Sequence, residues 1–315
     1  MSLIDFITRA LIFSLAAGAL ASWIWCLHRW RAGLEPVPFE PRRPVPWTAV
    51  DIIPVLLWLG LALAAMAQQL QDKGDVVSQV RSLAEQIWRS GSPFLEMRLR
   101  GTGPALLLAA DVVTKLLIGG VLLALILVRH RTTAADLGWV PSRLRADTRL
   151  GVGSFYALGV VVFGISLVLT NWSGDKNIEH PLVIMLRHDH SLLVVVWACL
   201  SAIVVAPLVE EFMFRVVLQG WLEKIWPVRT SADGSRLSQS RFQGFLPILI
   251  SASLFALMHL HFQAGRPNTD PIPLFVLALG LGFVYRQTHR IWPSLVVHAL
   301  LNSYSMLMAI LTVTQ

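Results

Sequence analysis

Charged residues interrupt the most apolar part of this chain. Residues 206–215 read APLVEEFMFR, which places Glu210, Glu211 and Arg215 inside a long run that is otherwise suited to lipid. A charged side chain inside a bilayer is energetically expensive, and such residues almost always face a cavity or a charged partner. The stretch therefore predicts a membrane-spanning helix that carries a functional site.

The composition of the whole chain indicates an integral membrane protein. Of its 315 residues, 55% are hydrophobic and only 14% are charged, whereas soluble domains carry roughly 25% charged residues. The net charge is +7, but the basic residues lie between apolar runs, as they do in the cytoplasmic loops of membrane proteins. We therefore expect membrane lipid around the protein and no nucleic-acid partner.

Apolar segments of about 20 residues can span a bilayer as helices, and eight candidates occur here. They lie near residues 7–27, 48–68, 103–128, 150–170, 191–224, 245–262, 271–288 and 291–313. The expected fold is all-α, a polytopic transmembrane helix bundle with about eight spans. The fifth segment would be about 50 Å long as one helix, so we expect a kink at Pro207 or an extension into the cytoplasm. Helical periodicity also predicts a surface helix around residues 76–88.

The chain is predicted to consist of two regions. Residues 1–128 form an N-terminal three-helix membrane region without an assignable motif, and residues 129–315 carry the polar motifs described below. Arg and Lys are more frequent in the loops after the first, third, fifth and seventh segments than on the opposite side. The positive-inside rule then places both termini outside, and the inner membrane of a prokaryote is the expected location.

Polar residues recur at helical spacing within the last four segments. They form three sets: Glu210-Glu211 with Arg215, Phe255 with His259, and His298 with Asn302. Residues four apart lie on one helix face, so Glu211 can pair with Arg215, and His298 shares a face with Asn302. Glu210 lies about 100° around the helix from Glu211. It is therefore expected to point elsewhere, without a local cation.

These residue types allow several kinds of chemistry. A carboxylate beside a histidine can activate a water molecule, and a histidine with an asparagine can stabilise an oxyanion. The two histidines and Glu210 could instead hold a zinc ion. Buried Glu and His also serve proton relays and transporters, and single pairs can be purely structural, which is our interpretation of Asp111 and Lys115. The occurrence of a spare glutamate, two histidines and an amide on three helices favours an amide hydrolase.

The three motifs, in this order on transmembrane helices, resemble the CAAX prenyl protease and bacteriocin-processing (CPBP) family, also called the abortive-infection (Abi) family. The similar region runs from about Asp136 to Leu311. The resemblance implies an all-helical intramembrane endopeptidase, a hydrolase that acts on a membrane-associated or lipidated peptide or protein. A non-catalytic scaffold and a factor conferring immunity to a peptide toxin remain alternatives, and no signal for an oligomeric state is present.

The resemblance also implies roles for individual residues. Glu210 would activate water with the assistance of His259, while His298 and Asn302 would stabilise the oxyanion. Three further residues would support the site or contact substrate: Glu211, Arg215 and Phe255. Members of the family have been described both as metalloproteases and as metal-independent glutamate proteases. We expect no cofactor, because asparagine is a poor zinc ligand and Arg215 engages Glu211; in a zinc version the ligands would be Glu210, His259 and His298.

Overall fold

The computed structural model describes residues 2–41, 44–69, 103–173, 186–187, 189, 191–227, 240–260, 262–263, 266–267 and 270–313. Within these ranges the chain forms eight helices and one pair of very short strands. The predicted all-α architecture is confirmed. The predicted surface helix around residues 76–88 lies outside the described residues.

The helices follow one another with few other elements between them. The first four are α1 (Leu3–Arg31), α2 (Ile53–Gln69), α3 (Pro104–His130) and α4 (Leu144–Ser173). The last four are α5 (Leu192–Ile225), α6 (Ser240–Met258), α7 (Pro271–Thr288) and α8 (Ile291–Val313). Short 3₁₀ turns at Ala49–Ile52 and Pro141–Arg143 lead into α2 and α4. Between α6 and α7, β1 (Phe262–Gln263) pairs antiparallel with β2 (Arg266–Pro267).

Among the described residues, five helices are long and apolar enough to cross a membrane: α1, α3, α4, α5 and α8. Every one of the eight predicted segments coincides with a helix, so the expectation of about eight spans is roughly consistent with the structure. Large apolar side chains also cover the outer surface, for example Phe13, Leu117 and Trp172. Contiguous apolar surface of this kind is suited to contact with lipid rather than with water.

Helix α5 lies in the centre of the bundle. Its side chains Met213, Phe214, Val216 and Val217 are each at most 1% exposed. They pack in one cluster with side chains of α6 and α7, such as Phe255 and Tyr285. Among the candidate spans of the described residues, α5 is both the most hydrophobic and the most buried, so it packs mainly against other helices rather than against lipid.

Helix α5 is not a regular α-helix. Two π-helical segments, Leu200–Val205 and Phe212–Gln219, flank the short α-helical segment Ala206–Glu211. Pro207 lies in the first turn of that α-helical segment, directly after the first π-helical segment, and it lacks the N–H that a continuous helix would bond to an earlier carbonyl. The change from π-helical to α-helical hydrogen bonding therefore occurs next to Pro207, where the sequence predicts a kink. Turns of the π type are frequent at functional sites.

Helix α8 is held against α4 by close backbone approach at Gly151. A Cβ atom at this position would lie 2.7 Å from Val296 Cβ and 2.9 Å from the Pro293 carbonyl oxygen. We expect Gly151→Ala to lower the free energy of unfolding by about 1–3 kcal/mol, because the added methyl group overpacks the contact. Thermal unfolding in detergent measures the change.

The control for this substitution is Gly153→Ala on the same helix. A Cβ atom at Gly153 would meet nothing within 4 Å, so alanine should be neutral or stabilising by up to about 1 kcal/mol. Equal melting temperatures for the two variants would contradict the packing argument.

Candidate active site

Three helices bring together the residues of the candidate site. Glu210 and Glu211 are the last two residues of the α-helical segment of α5. His259 follows directly after the end of α6, and His298 lies within α8. The site therefore forms only when α6 and α8 pack against the middle of α5.

Glu210 faces both histidines. Its Oε2 atom lies 4.0 Å from His259 Nε2 and 3.8 Å from His298 Nε2. These separations are too long for direct hydrogen bonds, and polar atoms at such distances are commonly bridged by one water molecule. The carboxylate and the two imidazoles can thus contact the same small molecule.

The backbone of α6 sets the orientation of His259. Its Nδ1 lies 2.8 Å from the Phe255 carbonyl oxygen. A carbonyl oxygen can only accept a hydrogen bond, so Nδ1 carries the hydrogen. In the neutral ring, Nε2 then presents a lone pair toward Glu210, which is the form of histidine that can accept a proton.

Glu211 orients His298 in the same manner. The Nδ1 atom of His298 donates to Glu211 Oε1 at 3.0 Å, and both side chains are almost fully buried. Nε2 lies on the other side of the ring, toward Glu210. Both imidazoles are therefore held at Nδ1 and present Nε2 to one carboxylate.

Arg215 compensates the buried charge of Glu211. Its Nε lies 3.2 Å from Glu211 Oε2, and neither side chain is exposed. The two groups do not meet at the angle of a hydrogen bond, so we regard the contact as an ion pair. The pairing predicted from the spacing of these residues is thus observed, although the turn that joins them is π-helical.

Glu210 and Glu211, which are expected to point in different directions, both lie beside His298. Both carboxylates reach His298, one at each ring nitrogen. The angle of about 100° between neighbouring helical side chains separates their Cβ directions, but the imidazole is wide enough to contact both. His298 therefore links the reactive-side glutamate to the buried ion pair.

Phe255 forms an aromatic wall beside these groups. It is fully buried, and its ring centroid lies 4.6 Å from that of His259 and 5.8 Å from that of His298. The Arg215 guanidinium carbon lies 5.0 Å from the centre of the same ring, a cation–π contact. The Phe255 ring thus covers one side of the two histidines and also packs against the guanidinium of Arg215.

Asn302 is placed differently from the other predicted residues. It lies one helical turn beyond His298, and its Nδ2 donates to the Ala202 carbonyl oxygen in α5 at 2.7 Å. Among the described residues, no hydrogen bond joins Asn302 to Glu210, His259 or His298. A primary amide carries two N–H donors, so one of them stays available for a substrate oxygen.

The sequence analysis missed Ser251, which supports Arg215. Its hydroxyl donates to the Phe214 carbonyl oxygen at 2.8 Å and accepts from Arg215 Nη1 at 3.4 Å. Ser251 lies four residues before Phe255 on α6, so the helical spacing could have identified it as part of the same face. A serine within an otherwise apolar helix, four residues before Phe255, is the feature of the sequence that could have identified it.

Asp111 and Lys115 form a separate cluster. Lys115 Nζ lies 2.7 Å from Asp111 Oδ2, and the Ser201 hydroxyl donates to the same oxygen at 2.5 Å. The cluster joins α3 to the first π-helical segment of α5. The predicted structural pair is therefore observed, and it ties two helices together.

No three His, Cys, Asp or Glu side chains in the described part of the chain are placed to hold a metal ion together. Zinc ligands lie about 2.0–2.3 Å from the metal, so Glu210, His259 and His298 would have to move closer to one another to bind it.

Comparison with known proteins gives one family model that matches this part of the chain. Residues 192–304 match the family model described as type II CAAX prenyl endopeptidase Rce1-like. The matched range contains all seven predicted site residues and agrees with the CPBP resemblance. No curated protein and no solved structure gave a match.

Proposed function

We propose that this protein, in which residues 192–304 form an Rce1-like domain of the CAAX prenyl endopeptidase type, is a glutamate-dependent intramembrane endopeptidase. The family match and the apolar helices support an integral membrane protein of a peptidase family. The observation that carries the mechanism is the Glu210 carboxylate facing the Nε2 atoms of His259 and His298. We propose the inner membrane of a prokaryote as its location, with both termini outside.

In this mechanism Glu210 takes a proton from a water molecule. The resulting hydroxide attacks the carbonyl carbon of the scissile peptide bond, and His259 assists through its Nε2 lone pair. When the tetrahedral intermediate collapses, the C–N bond breaks and the proton held by Glu210 passes to the leaving amine. General acid–base catalysis of this kind contributes about 10²- to 10⁴-fold to a rate.

The oxyanion would be stabilised by His298 and by the second amide N–H of Asn302. Because Nδ1 of His298 already donates to Glu211, donation from Nε2 would require a hydrogen on both ring nitrogens. Donors that are already in place before the charge develops stabilise it most effectively. Glu211 and Arg215 thus act behind the reacting groups by holding His298.

The exposure of the side chains indicates the side from which substrate enters. Glu210 and His259 are 12% and 30% exposed, whereas Glu211 and Arg215 are fully buried. The water-activating groups therefore line the open side of the cluster. A substrate that is itself bound to the membrane, such as a lipidated peptide, can reach this depth without crossing bulk water.

We expect metal chelators to leave the peptidase active. The mechanism above needs no Lewis acid, since Glu210 and His259 supply the base. The measurement is the cleavage rate after incubation with 1,10-phenanthroline and dialysis. A loss of activity that zinc restores would instead support the zinc version with Glu210, His259 and His298 as ligands.

Mass spectrometry of membrane peptides tests the proposed function directly. Cells that contain the wild-type protein are compared with cells that contain Glu210→Ala at equal abundance. A cleavage product found only with the wild type supports the peptidase and identifies its substrate. Identical peptides together with an undiminished biological effect of Glu210→Ala would favour the non-catalytic scaffold or immunity factor.

A further inference from the structure

Residues between α1 and α2 are hydrogen-bonded to the end of α7 and to the turn that follows it, within the Rce1-like region. The side-chain amide of Gln287 donates to the Val37 carbonyl oxygen at 2.6 Å, and the Glu40 backbone N–H donates to the Gln287 carbonyl oxygen at 2.8 Å. His289 Nδ1 donates to the Glu40 carbonyl oxygen at 2.7 Å. This part of the N-terminal region thus contacts the turn between α7 and α8 through several polar bonds.

Trp47 continues this connection into the centre of the bundle. It is fully buried, and its indole N–H donates to the Val217 carbonyl oxygen of α5 at 2.9 Å. In return, Lys224 Nζ donates to the Trp47 carbonyl oxygen at 2.8 Å. Residue 47 is therefore bonded to α5 through both its side chain and its backbone.

The bond to Val217 lies within the π-helical segment that carries Arg215. π-type turns are wider than α-helical turns and occur in short runs, so they depend on outside contacts for a defined position. The Arg215 guanidinium has few polar bonds of its own: Nη2 has no hydrogen-bond partner, and the bond to Ser251 is long at 3.4 Å. Besides the ion pair with Glu211 and the contact with Phe255, little holds this side chain, so a shift of the α5 backbone would move the guanidinium relative to Glu211.

We propose that Trp47 is a positioning residue for the active site, acting through the Val217 carbonyl on the segment that holds Arg215. Displacement of Arg215 would leave Glu211 less well compensated, and Glu211 holds His298 in its orientation toward Glu210. The N-terminal region then contributes to catalysis without touching substrate. The kinetic part of this inference rests on the proposed peptidase function.

Two matched variants test the proposal. Trp47→Phe removes the N–H donor and some indole volume from the cluster around α5. Trp58→Phe removes the same volume from the same cluster, where the ring centroid of Trp58 lies 6.4 Å from that of Phe214, and it leaves the bond between Trp47 and Val217 in place. The measurements are amide hydrogen exchange over residues 212–219, and kcat and KM for a cleaved peptide.

We expect Trp47→Phe to speed exchange over residues 212–219 and to lower kcat, each by about tenfold at most, the equilibrium effect of one lost hydrogen bond. KM should not change, because Trp47 does not contact substrate. Trp58→Phe should alter neither quantity by more than about twofold. Lys224→Met, which frees the Trp47 and Pro46 carbonyl oxygens and leaves the indole bond in place, should change exchange in the same direction by less, and it serves as the test should Trp47→Phe not fold.

Equal exchange over residues 212–219 in the Trp47 and Trp58 variants would overturn the proposal, as would a change confined to KM. These outcomes are separate from failure of the proposed function. If wild type and Glu210→Ala release no peptide, the peptidase is excluded, while hydrogen exchange still decides whether Trp47 positions the π-helical segment.

Discussion

Replacing Glu210 by glutamine should lower kcat about a thousandfold, the usual contribution of a general base. Glutamine has the shape of glutamate but cannot take a proton from water. The side chain is mostly buried at the junction of α5, α6 and α8, and glutamine fills the same volume, so the fold should persist. Purified protein in detergent or liposomes, with a peptide identified by mass spectrometry, allows the comparison.

Asp111→Asn is the matched control for this prediction. Asp111 is also an intramembrane carboxylate, but it is bound to Lys115 and Ser201 between α3 and α5. Its replacement should change kcat by less than about threefold, since it affects packing rather than proton transfer. A Glu210→Gln protein that cleaves at the wild-type rate, or an equal loss in both variants, would remove Glu210 from the mechanism.

Replacing Arg215 by methionine should lower the free energy of unfolding by about 3–5 kcal/mol, the typical cost of leaving one partner of a buried ion pair without the other. Glu211 and Arg215 are both fully buried, so water cannot solvate the remaining carboxylate. Methionine preserves most of the contact with Phe255, which separates the loss of charge from the loss of packing. Unfolding in detergent, followed by tryptophan fluorescence, measures the effect.

The double variant Glu211→Gln/Arg215→Met provides the control. Removing both charges leaves no uncompensated ion, so its stability should recover by about 1–3 kcal/mol relative to Arg215→Met. The two sites are in contact, and their effects are therefore not expected to add. The single variant Glu211→Gln completes the comparison. If the double variant lost as much stability as the two single variants together, the pair would contribute only independent packing.

Local periodicity determined much of this protein in advance. The apolar runs identified a membrane protein with eight helices, and each predicted segment coincides with one. The four-residue spacing of Glu211 with Arg215, and of Asp111 with Lys115, correctly predicted two ion pairs. These features depend on residues within one helix, whose geometry follows from the backbone alone.

Other features of the site required the packed structure. His259 and His298 reach Glu210 from different helices, and each is oriented by an acceptor at Nδ1. The spacing along α8 predicted that Asn302 lies on the same face as His298. It did not predict the hydrogen bond from Asn302 to the Ala202 carbonyl oxygen.

Contacts between distant parts of the chain explain the difference between these two groups of features. Trp47 and Val217 are 170 residues apart, and nothing in the local sequence around either one predicts their hydrogen bond. The rotation and axial position of each helix relative to its neighbours are decided by how side chains interdigitate across the bundle. Sequence alone therefore determined which residues could act and on which helix they lie, whereas tertiary packing decided which of their atoms meet.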